Sequence, residues 1–271
     1  MGSIASSNRA GLTAAQVYDQ RFVPALFRPW AAAVCDSAGV GPGQRVLDVA
    51  CGTGALACVA AGRVDPGGAV TGLDANPDML AVARRKPEAV DWQEGRAELL
   101  PFSDQSFDAV VSQFGLMFFD DRTASLREMH RVLRHGGRMA VAVCDAVGRS
   151  PGYAVLAALL QRLFGQAVAD AFRAPFALGD ANLLASLCTE AGLTGARVVR
   201  HVGEVRFASI DALISAEREC AWTLGGMLDD AQFQRLRGEA EKALAPFVDG
   251  EGAVAFSMPA LIIGAGQARS P

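Results

Sequence analysis

Between residues 44 and 145, short apolar runs alternate with stretches in which apolar residues recur at helical spacing. The apolar runs predict five strands, at residues 45–49, 69–73, 90–94, 107–113 and 139–144. Helices are predicted between them at residues 55–61, 76–85 and 122–134, with Gly136 and Gly137 ending the last one. Because this alternation builds a parallel sheet with helices on both faces, the pattern predicts an α/β fold with a doubly wound sheet.

After residue 145 the pattern becomes mainly helical. It predicts helices at residues 153–164, 180–191, 210–223 and 231–244, and two further strands at 197–207 and 253–263. Residues 13–40 predict a helical segment bent at Pro24 and Pro29. Since no Gly/Ser-rich linker separates these parts, we expect a helical leader (1–40), a core (41–145) and a C-terminal part of the same domain (146–271). Helices added around such a core are expected to cover the ligand cleft at the carboxyl ends of the strands.

Composition narrows the class of protein and of ligand. The chain has 271 residues, of which 51% are hydrophobic and 20% charged, a balance that excludes intrinsic disorder. A net charge of −4 argues against a nucleic-acid partner and favours a small molecule. The uncharged stretch at residues 252–267 is too short and too interrupted for a membrane span. The six cysteines are scattered and do not cluster with the histidines, so we expect no metal site, no disulfides and a cytoplasmic location.

The most informative stretch is VLDVACGTGALA, residues 46–57. A predicted strand leads into a turn with Gly52 and Gly54, and a helix begins at once. This arrangement presents free backbone N–H groups to a polar or anionic ligand, and glycines let the ligand approach the backbone. By itself the turn also fits a dinucleotide-binding site.

Two carboxylates favour a ligand other than a dinucleotide. Asp48, within the first strand, can reach a positively charged ligand group but would lie unfavourably close to a pyrophosphate. Asp74 ends the second strand, where a carboxylate can accept both hydroxyls of a ribose. The ligand implied carries a ribose and a cationic amino or sulfonium group, as S-adenosylmethionine (SAM) does.

Four segments, in order, resemble motifs of the Rossmann-like (class I) SAM-dependent methyltransferases. They are residues 46–54, residues 73–80, residues 95–102 with 106–108, and residues 127–137. The nearest subgroup is methyltransferase type 11, which includes the ubiquinone and menaquinone C-methyltransferases. The resemblance covers roughly residues 40–145 and becomes loose beyond. It implies a seven-stranded, mostly parallel sheet in which residues 41–145 form the SAM-binding core.

The resemblance also implies a cofactor site, residue by residue. Asp48, Gly52 and Thr53 would hold the methionine end, Asp74 the ribose, and the Ala97 backbone N–H together with Met79 the adenine. A leader tyrosine, here Tyr18, covers the cofactor in many relatives. The remaining positions predicted to bind cofactor are Ala50, Gly54, Ala75, Glu98 and Gln113.

One position departs from the family pattern. The family usually has an acidic residue where this chain has Arg96, and it accepts a hydrogen bond from the adenine amino group. An arginine side chain cannot accept a hydrogen bond. Arg96 would therefore stack on the adenine, point to solvent or weaken cofactor binding.

The methyl acceptor is predicted to lie beyond the fourth strand. Phe114 and Phe118 at its carboxyl end, with Tyr153 from the first inserted helix, would form an apolar pocket for a quinol, phenol or polyketide-like molecule. The pattern identifies no general base, since His130 and His201 fall at positions typical of packing. Trp30 on the apolar leader suggests a homodimer.

The residues therefore predict a SAM-dependent methyltransferase acting on O or C of a small, fairly apolar acceptor. A nicotinamide-dependent oxidoreductase that uses Gly52 and Gly54 is the alternative from another enzyme class. A third hypothesis is a relative that keeps the fold and the SAM pocket for binding or for non-methylating chemistry.

Overall fold

A computed structural model describes residues 12–220 and 222–267. Its α-helices are α1 (Ala14–Val17), α2 (Arg28–Ala38), α3 (Ala55–Val64), α4 (Pro77–Ala83), α5 (Arg122–Arg131), α6 (Pro151–Phe164), α7 (Gln166–Arg173), α8 (Ala181–Glu190), α9 (Ile210–Glu219) and α10 (Asp230–Leu244). A π-helix, Tyr18–Phe27, joins α1 to α2, and single 3₁₀ turns lie at Leu116–Phe118, Val147–Arg149, Ala174–Phe176 and Ala245–Phe247. The strands are β1 (Arg45–Val49), β2 (Ala69–Asp74), β3 (Val90–Glu94), β4 (Phe107–Gln113), β5 (Leu133–Cys144), β6 (Arg197–His201), β7 (Glu204–Phe207), β8 (Val254–Ser257) and β9 (Ala260–Gly266).

Seven of these strands form one sheet in the order β3-β2-β1-β4-β5-β9-β6. β1 to β5 pair in parallel, and β9 runs antiparallel to both of its neighbours. The predicted α/β fold with a seven-stranded, mostly parallel, doubly wound sheet is therefore confirmed. The chain order reverses between β1 and β4, and in doubly wound sheets the ligand crevice opens at such a point.

The leader bends without breaking. Pro24 lies inside the π-helix, and the Arg28 N–H donates to the Val23 carbonyl, five residues earlier. A proline has no N–H to donate, and its ring crowds the preceding helical turn. The wider π-helical turn accommodates both effects at Pro24. Pro29, by contrast, lies in the first turn of α2, where a missing N–H costs nothing. The part of the predicted leader before residue 12 lies outside the described residues, and the division at residues 40 and 145 stays a prediction.

The fifth strand is longer than predicted. β5 begins at Leu133, so the helix predicted to run to Arg134 ends three residues earlier, at Arg131. The pairing of β4 with β5 shifts register between Phe107 and Ala109, and Gly136 has a φ of +78°. The two glycines that were predicted to end a helix lie within an irregular strand entry instead.

Each of the two strands predicted after residue 145 is broken in the middle. Residues 197–207 divide into β6 and β7, and residues 253–263 divide into β8 and β9. Pro259, which has no N–H to donate, lies at one break, and the Met258 N–H crosses to the Gly203 carbonyl at 2.8 Å. At Gly203, which lies at the other break, an added Cβ would lie 2.1 Å from the Trp30 ring, so only glycine fits against the indole there. The β6–β9 and β7–β8 ladders keep the same register across the break.

Two further differences concern helices. α7 was not predicted at all, and α9 ends at Glu219 although its apolar spacing predicts helix as far as residue 223. Trp30, expected at a dimer surface, is 3% exposed and packs edge-on against Phe114 at 6.0 Å. The residue that suggested a homodimer is thus part of the core.

The apolar stretch near the end of the chain forms β8 and β9, as the strand prediction required. β9 is paired on both sides, and five of its seven residues are buried. Among the described residues, no helix has both the length and the apolar character needed to cross a bilayer.

Candidate functional site

A cavity of about 940 Å³ opens at the carboxyl ends of β1, β2 and β4. Its wall includes Ala50 and Gly52 after β1, Asp74 at the end of β2, and Phe114 after β4. The leader covers one side, and residues from α6, α7 and the end of α9 complete the other. Its size and its mixed polar and aromatic wall are typical of a site for a small molecule.

The Asp74 carboxylate connects the ends of neighbouring strands. Its Oδ2 accepts from the Gly52 N–H at 2.7 Å, and its Oδ1 accepts from the Asn76 N–H at 2.8 Å. The Gly95 N–H also donates to the Asp74 carbonyl at 3.0 Å. Burial raises the pKa of Asp74, and the two backbone donors oppose that rise. Each oxygen keeps a lone pair for a ligand hydroxyl at the cavity wall.

The two glycines of the β1–α3 turn have different neighbours. Both have positive φ, +56° at Gly52 and +88° at Gly54. A Cβ on Gly52 would lie 3.8 Å from the Tyr18 ring and hydroxyl, at the cavity wall. A Cβ on Gly54 would lie 2.4 Å from the Trp92 indole. Gly54 therefore allows the turn to pack on β3, whereas it was expected to let a ligand approach.

Asp48 and Thr53 lie beneath the turn and not at the cavity wall. Asp48 is 1% exposed, and neither its carboxylate nor the Thr53 hydroxyl has a side-chain hydrogen-bond partner in the described part of the chain. Burial raises the pKa of Asp48 well above its usual range; the Ala57 backbone N–H opposes the rise and the Asp74 charge adds to it. The Asp48 carboxylate therefore lies behind the loop, and the backbone of the loop separates it from the cavity.

Tyr18 lies over the glycine turn, in the middle of the cavity wall. Its ring stacks on Phe27 at 4.9 Å and meets Trp222 edge-on at 5.5 Å. Burial raises the pKa of Tyr18 well above its usual range, and the nearby Cys220 and Asp74 side chains raise it further. The Tyr18 side chain therefore lies between the glycine turn on one side and Trp222 on the other.

The predicted adenine side combines buried apolar residues with a charged rim. Met79 and Ala97 line the cavity and are almost fully buried. Arg96 also reaches the cavity, but its side chain is 59% exposed and pairs with Asp120 at 2.5 Å and with Glu98 at 3.3 Å. Of the three alternatives for Arg96, the structure favours the one in which the guanidinium points to solvent.

Gln113 contributes an unpaired acceptor to the wall. Its Nε2 donates to the Phe27 carbonyl at 2.8 Å, which fixes the side chain against the leader. Its Oε1 is buried without a partner among the described residues. A buried acceptor left free in a cavity wall suits a donor supplied by a ligand.

The three residues predicted for the acceptor pocket share this cavity with Gly52 and Asp74. Phe114 is buried, Phe118 is 41% exposed at the rim, and Tyr153 is buried. The Tyr153 ring meets Phe256 edge-on at 5.1 Å. Their role as an acceptor pocket stays a prediction.

Two non-glycine residues at the wall have left-handed backbone conformations. They are Ala50, with a φ of +57°, and Phe114, with a φ of +56°. They follow neighbouring parallel strands, and a Cβ on Gly115 would lie 2.8 Å from the Ala50 Cβ, so the two turns touch. Backbone conformations of this cost cluster at functional sites because surrounding contacts enforce them.

Several wall residues were not predicted from the sequence. They come from segments after residue 165 and are Phe172, Pro175, Phe176, Glu217, Cys220, Trp222, Thr223 and Met258. One of them carried a detectable signal. Ile210, Leu213 and Ile214 form the buried stripe of α9, and Glu217 continues that stripe at helical spacing with a carboxylate.

Comparison with known proteins gives a consistent result for the first half of the chain. A family model described as a methyltransferase domain matches residues 47–141. A demethylmenaquinone methyltransferase of Chlorobaculum parvum is 48% identical over 93 residues, which are 34% of this chain and 38% of that protein. The ubiquinone/menaquinone biosynthesis C-methyltransferase UbiE of Xanthomonas oryzae pv. oryzae is 44% identical over 122 residues, 43% of this chain and 48% of that protein. The chain thus spans less than half the length of these curated relatives.

Solved structures agree on the fold over most of the chain. The YcgJ protein of Bacillus subtilis superposes with a TM-score of 0.58 at 20% identity, covering 88% of this chain and 97% of that one. A phosphoethanolamine N-methyltransferase 2 of Haemonchus contortus, in complex with S-adenosyl-L-methionine, also gives 0.58, at 16% identity over 96% of this chain and 59% of that one. At such identities the likeness concerns the fold alone.

Proposed function

We propose that the chain is a class I SAM-dependent methyltransferase that transfers a methyl group from SAM to O or C of a small, fairly apolar acceptor, because a methyltransferase-domain model matches residues 47–141. The observation that carries this proposal is a single cavity with two different walls. One wall holds the Asp74 carboxylate beside the Gly52 turn, and the other holds Phe114 and Tyr153.

On the first wall, each predicted role is assigned to a group at the cavity surface. Asp74 accepts the ribose hydroxyls, the backbone of Ala50 and Gly52 with Gln113 Oε1 holds the methionine end, and Met79 and Ala97 hold the adenine. Two backbone donors already orient Asp74, so the carboxylate is held in place before the cofactor arrives. Tyr18 covers the bound cofactor from the leader.

When bound, SAM supplies an electrophilic methyl group on sulfur. The chain's own contribution is to align the acceptor with that methyl and to keep water out, which provides much of the rate in a direct displacement. Tyr18, Phe27 and Trp222 form the aromatic cover that excludes water.

For the acceptor we propose a quinol, phenol or polyketide-like molecule held by Phe114, Phe118 and Tyr153. The aromatic wall supports an apolar, flat molecule, and the names of the curated relatives are consistent with a quinol. The family match ends at residue 141, whereas Tyr153, Phe172 and Trp222 come after it. These three residues of the cavity wall therefore lie outside the matched region.

Nicotinamide chemistry is not favoured. The family model and the curated relatives that match the glycine turn are methyltransferases. We further propose a cytoplasmic location, which the six unpaired thiols support. A homodimer stays a prediction.

Calorimetric titration of the full chain with S-adenosylhomocysteine (SAH), with SAM and with NADH tests the proposed function. We expect saturable binding of SAH and SAM at one site per chain and none of NADH. Methyl transfer from labelled SAM to a panel of apolar phenols and quinols is then expected. A chain that does not bind SAH, or that binds NADH instead, contradicts the proposal.

The exposed ion pairs of Arg96 lead to a prediction of a small effect. Arg96→Ala is expected to change SAH affinity by no more than about threefold, because its guanidinium pairs with Asp120 and Glu98 at the rim, and exposed ion pairs contribute little. Titration calorimetry on the variant measures this. A loss above about tenfold would show that the guanidinium stacks on the adenine instead.

A further inference from the structure

Glu217 is a buried carboxylic acid in the acceptor half of the cavity. It lies in the last turn of α9, on the stripe that Ile210, Leu213 and Ile214 bury, and it is 2% exposed. The Thr223 hydroxyl donates to Glu217 Oε2 at 2.8 Å and lies 3.2 Å from the Glu217 carbonyl oxygen. The side chain is thus held in one orientation in the wall that contains Tyr153.

Among the described residues, no positively charged side chain pairs with this carboxyl. The groups close to it are the hydroxyls of Thr223 and Tyr153 and the thiol of Cys220, and the Cys144 thiol is close to Tyr153. Glu217 forms no ion pair in the described part of the chain. Burial raises the pKa of Glu217 to about 7, and hydrogen bonds from Thr223 and Tyr153 limit that rise. Near neutral pH the carboxyl is therefore present in both its protonated and its ionised form.

A purely structural role explains this arrangement poorly. An apolar residue would continue the stripe of α9 without the cost of burying an ionisable group. The Thr223 hydroxyl also has the Glu217 carbonyl as an alternative acceptor. An ionisable group held at such a cost in a ligand cavity is a candidate for proton transfer.

We propose that Glu217 is the general base of the reaction and that the acceptor is an apolar phenol methylated on its hydroxyl oxygen. This rests on the proposed function and narrows it. As the O–CH₃ bond forms, the S–CH₃ bond breaks and its electron pair stays on sulfur, while the hydroxyl proton passes to the Glu217 carboxylate. The positive charge of the sulfonium and the negative charge of the carboxylate disappear together. Tyr153 and Thr223 act as positioning residues that keep the carboxylate oriented.

The test compares Glu217→Gln with Glu219→Gln, a glutamate on the same helix that lies outside the cavity wall and pairs with Arg21. SAH binding is measured first, and we expect both variants to bind within about threefold of the wild type, since neither contacts the proposed cofactor wall. Wild type that does not bind SAH contradicts the proposed function itself. Wild type that binds SAH but methylates no phenol of the panel overturns only the present inference.

Methyl transfer from SAM to 1-naphthol and to 4-nitrophenol supplies the decisive readout. With 1-naphthol, Glu217→Gln is expected to lose about 100-fold in kcat, the usual contribution of a general base, while Glu219→Gln stays near wild type. The wild-type rate should rise with pH through a pKa near 7, and that rise should disappear in Glu217→Gln. The loss should be much smaller with 4-nitrophenol, which ionises near neutral pH without a base.

A structural role for Glu217 predicts different results. The two phenols would then lose rate equally, and the pH profile of the variant would keep its shape. Tyr153→Phe separates the roles further. As a positioning change, it should shift the pH profile and lower kcat less than Glu217→Gln does. A Tyr153→Phe variant that loses as much as Glu217→Gln, with an unchanged profile, would contradict the positioning role assigned to Tyr153.

Discussion

Asp74→Ala is expected to bind SAH at least about 100-fold more weakly than the wild-type chain, because hydrogen bonds to a charged group are each worth about 1.5–3 kcal/mol. The substitution removes the proposed contacts to both ribose hydroxyls. It also leaves the Gly52 and Asn76 N–H groups without the acceptor that orients them. Two effects thus add in one variant: a lost ligand contact and a loosened glycine turn.

Titration calorimetry with SAH measures this prediction. Asp91→Ala is the control, since Asp91 is an exposed aspartate on the neighbouring strand β3 and lies outside the cavity wall. It should bind SAH as the wild type does. Asp74→Asn should lose affinity too, because the amide nitrogen cannot accept a hydrogen bond. One of the two backbone donors, the Gly52 or the Asn76 N–H, would then lose its acceptor. Asp74→Ala with affinity within threefold of wild type would rule out the assigned role.

Gly54→Ala is expected to destabilise the fold by at least about 3 kcal/mol, because an enforced clash in a packed site adds to the cost of a left-handed alanine. The new Cβ would lie 2.4 Å from the Trp92 indole, and the φ of +88° is strained for any residue with a side chain. Relief requires the turn to move away from β3. Since the turn carries Gly52, the SAH site should be weakened as well.

Gly67→Ala separates these two costs. Gly67 has a similar φ of +84°, and nothing lies within 4 Å of its added Cβ. It should lose only the backbone cost, about 1 kcal/mol. Chemical denaturation of both variants gives the comparison. Equal losses in the two would show that Trp92 moves aside freely and that the packing argument for Gly54 is wrong.

The cofactor half of the molecule was largely readable from the sequence. β1, β3 and β4 have their predicted bounds, and β2 is one residue longer. β1 and β4 are apolar runs that are largely buried, so local pattern and tertiary burial agree there, whereas β3 is a more exposed strand at the edge of the sheet. The positions of Asp74 and Gly52 at the cavity could also be predicted, because the carboxyl ends of parallel strands meet at one edge of the sheet.

The acceptor half could be predicted only in part. Phe114, Phe118 and Tyr153 were found because a strand end and the first inserted helix mark their place. Glu217 and Trp222 were missed, since which face of α9 meets the cavity depends on how later helices pack on the core. Pattern alone also gave no reason to separate β6 from β7, because Gly203 at that break packs against Trp30, which is far away in the chain.

The shared register of the β6–β9 and β7–β8 ladders limits which insertions the chain tolerates. Phe256 on β8 packs against Tyr153, and Met258 at the break lines the cavity. One extra residue in β7 alone would turn the side chains beyond it to the opposite face of the two-stranded β7–β8 ladder. Phe256 would then lose Val205 as its partner on β7, and a change in this ladder, outside the main sheet, would change what the cavity admits. Insertions are therefore tolerated there only in matched pairs, one in β7 and one in β8.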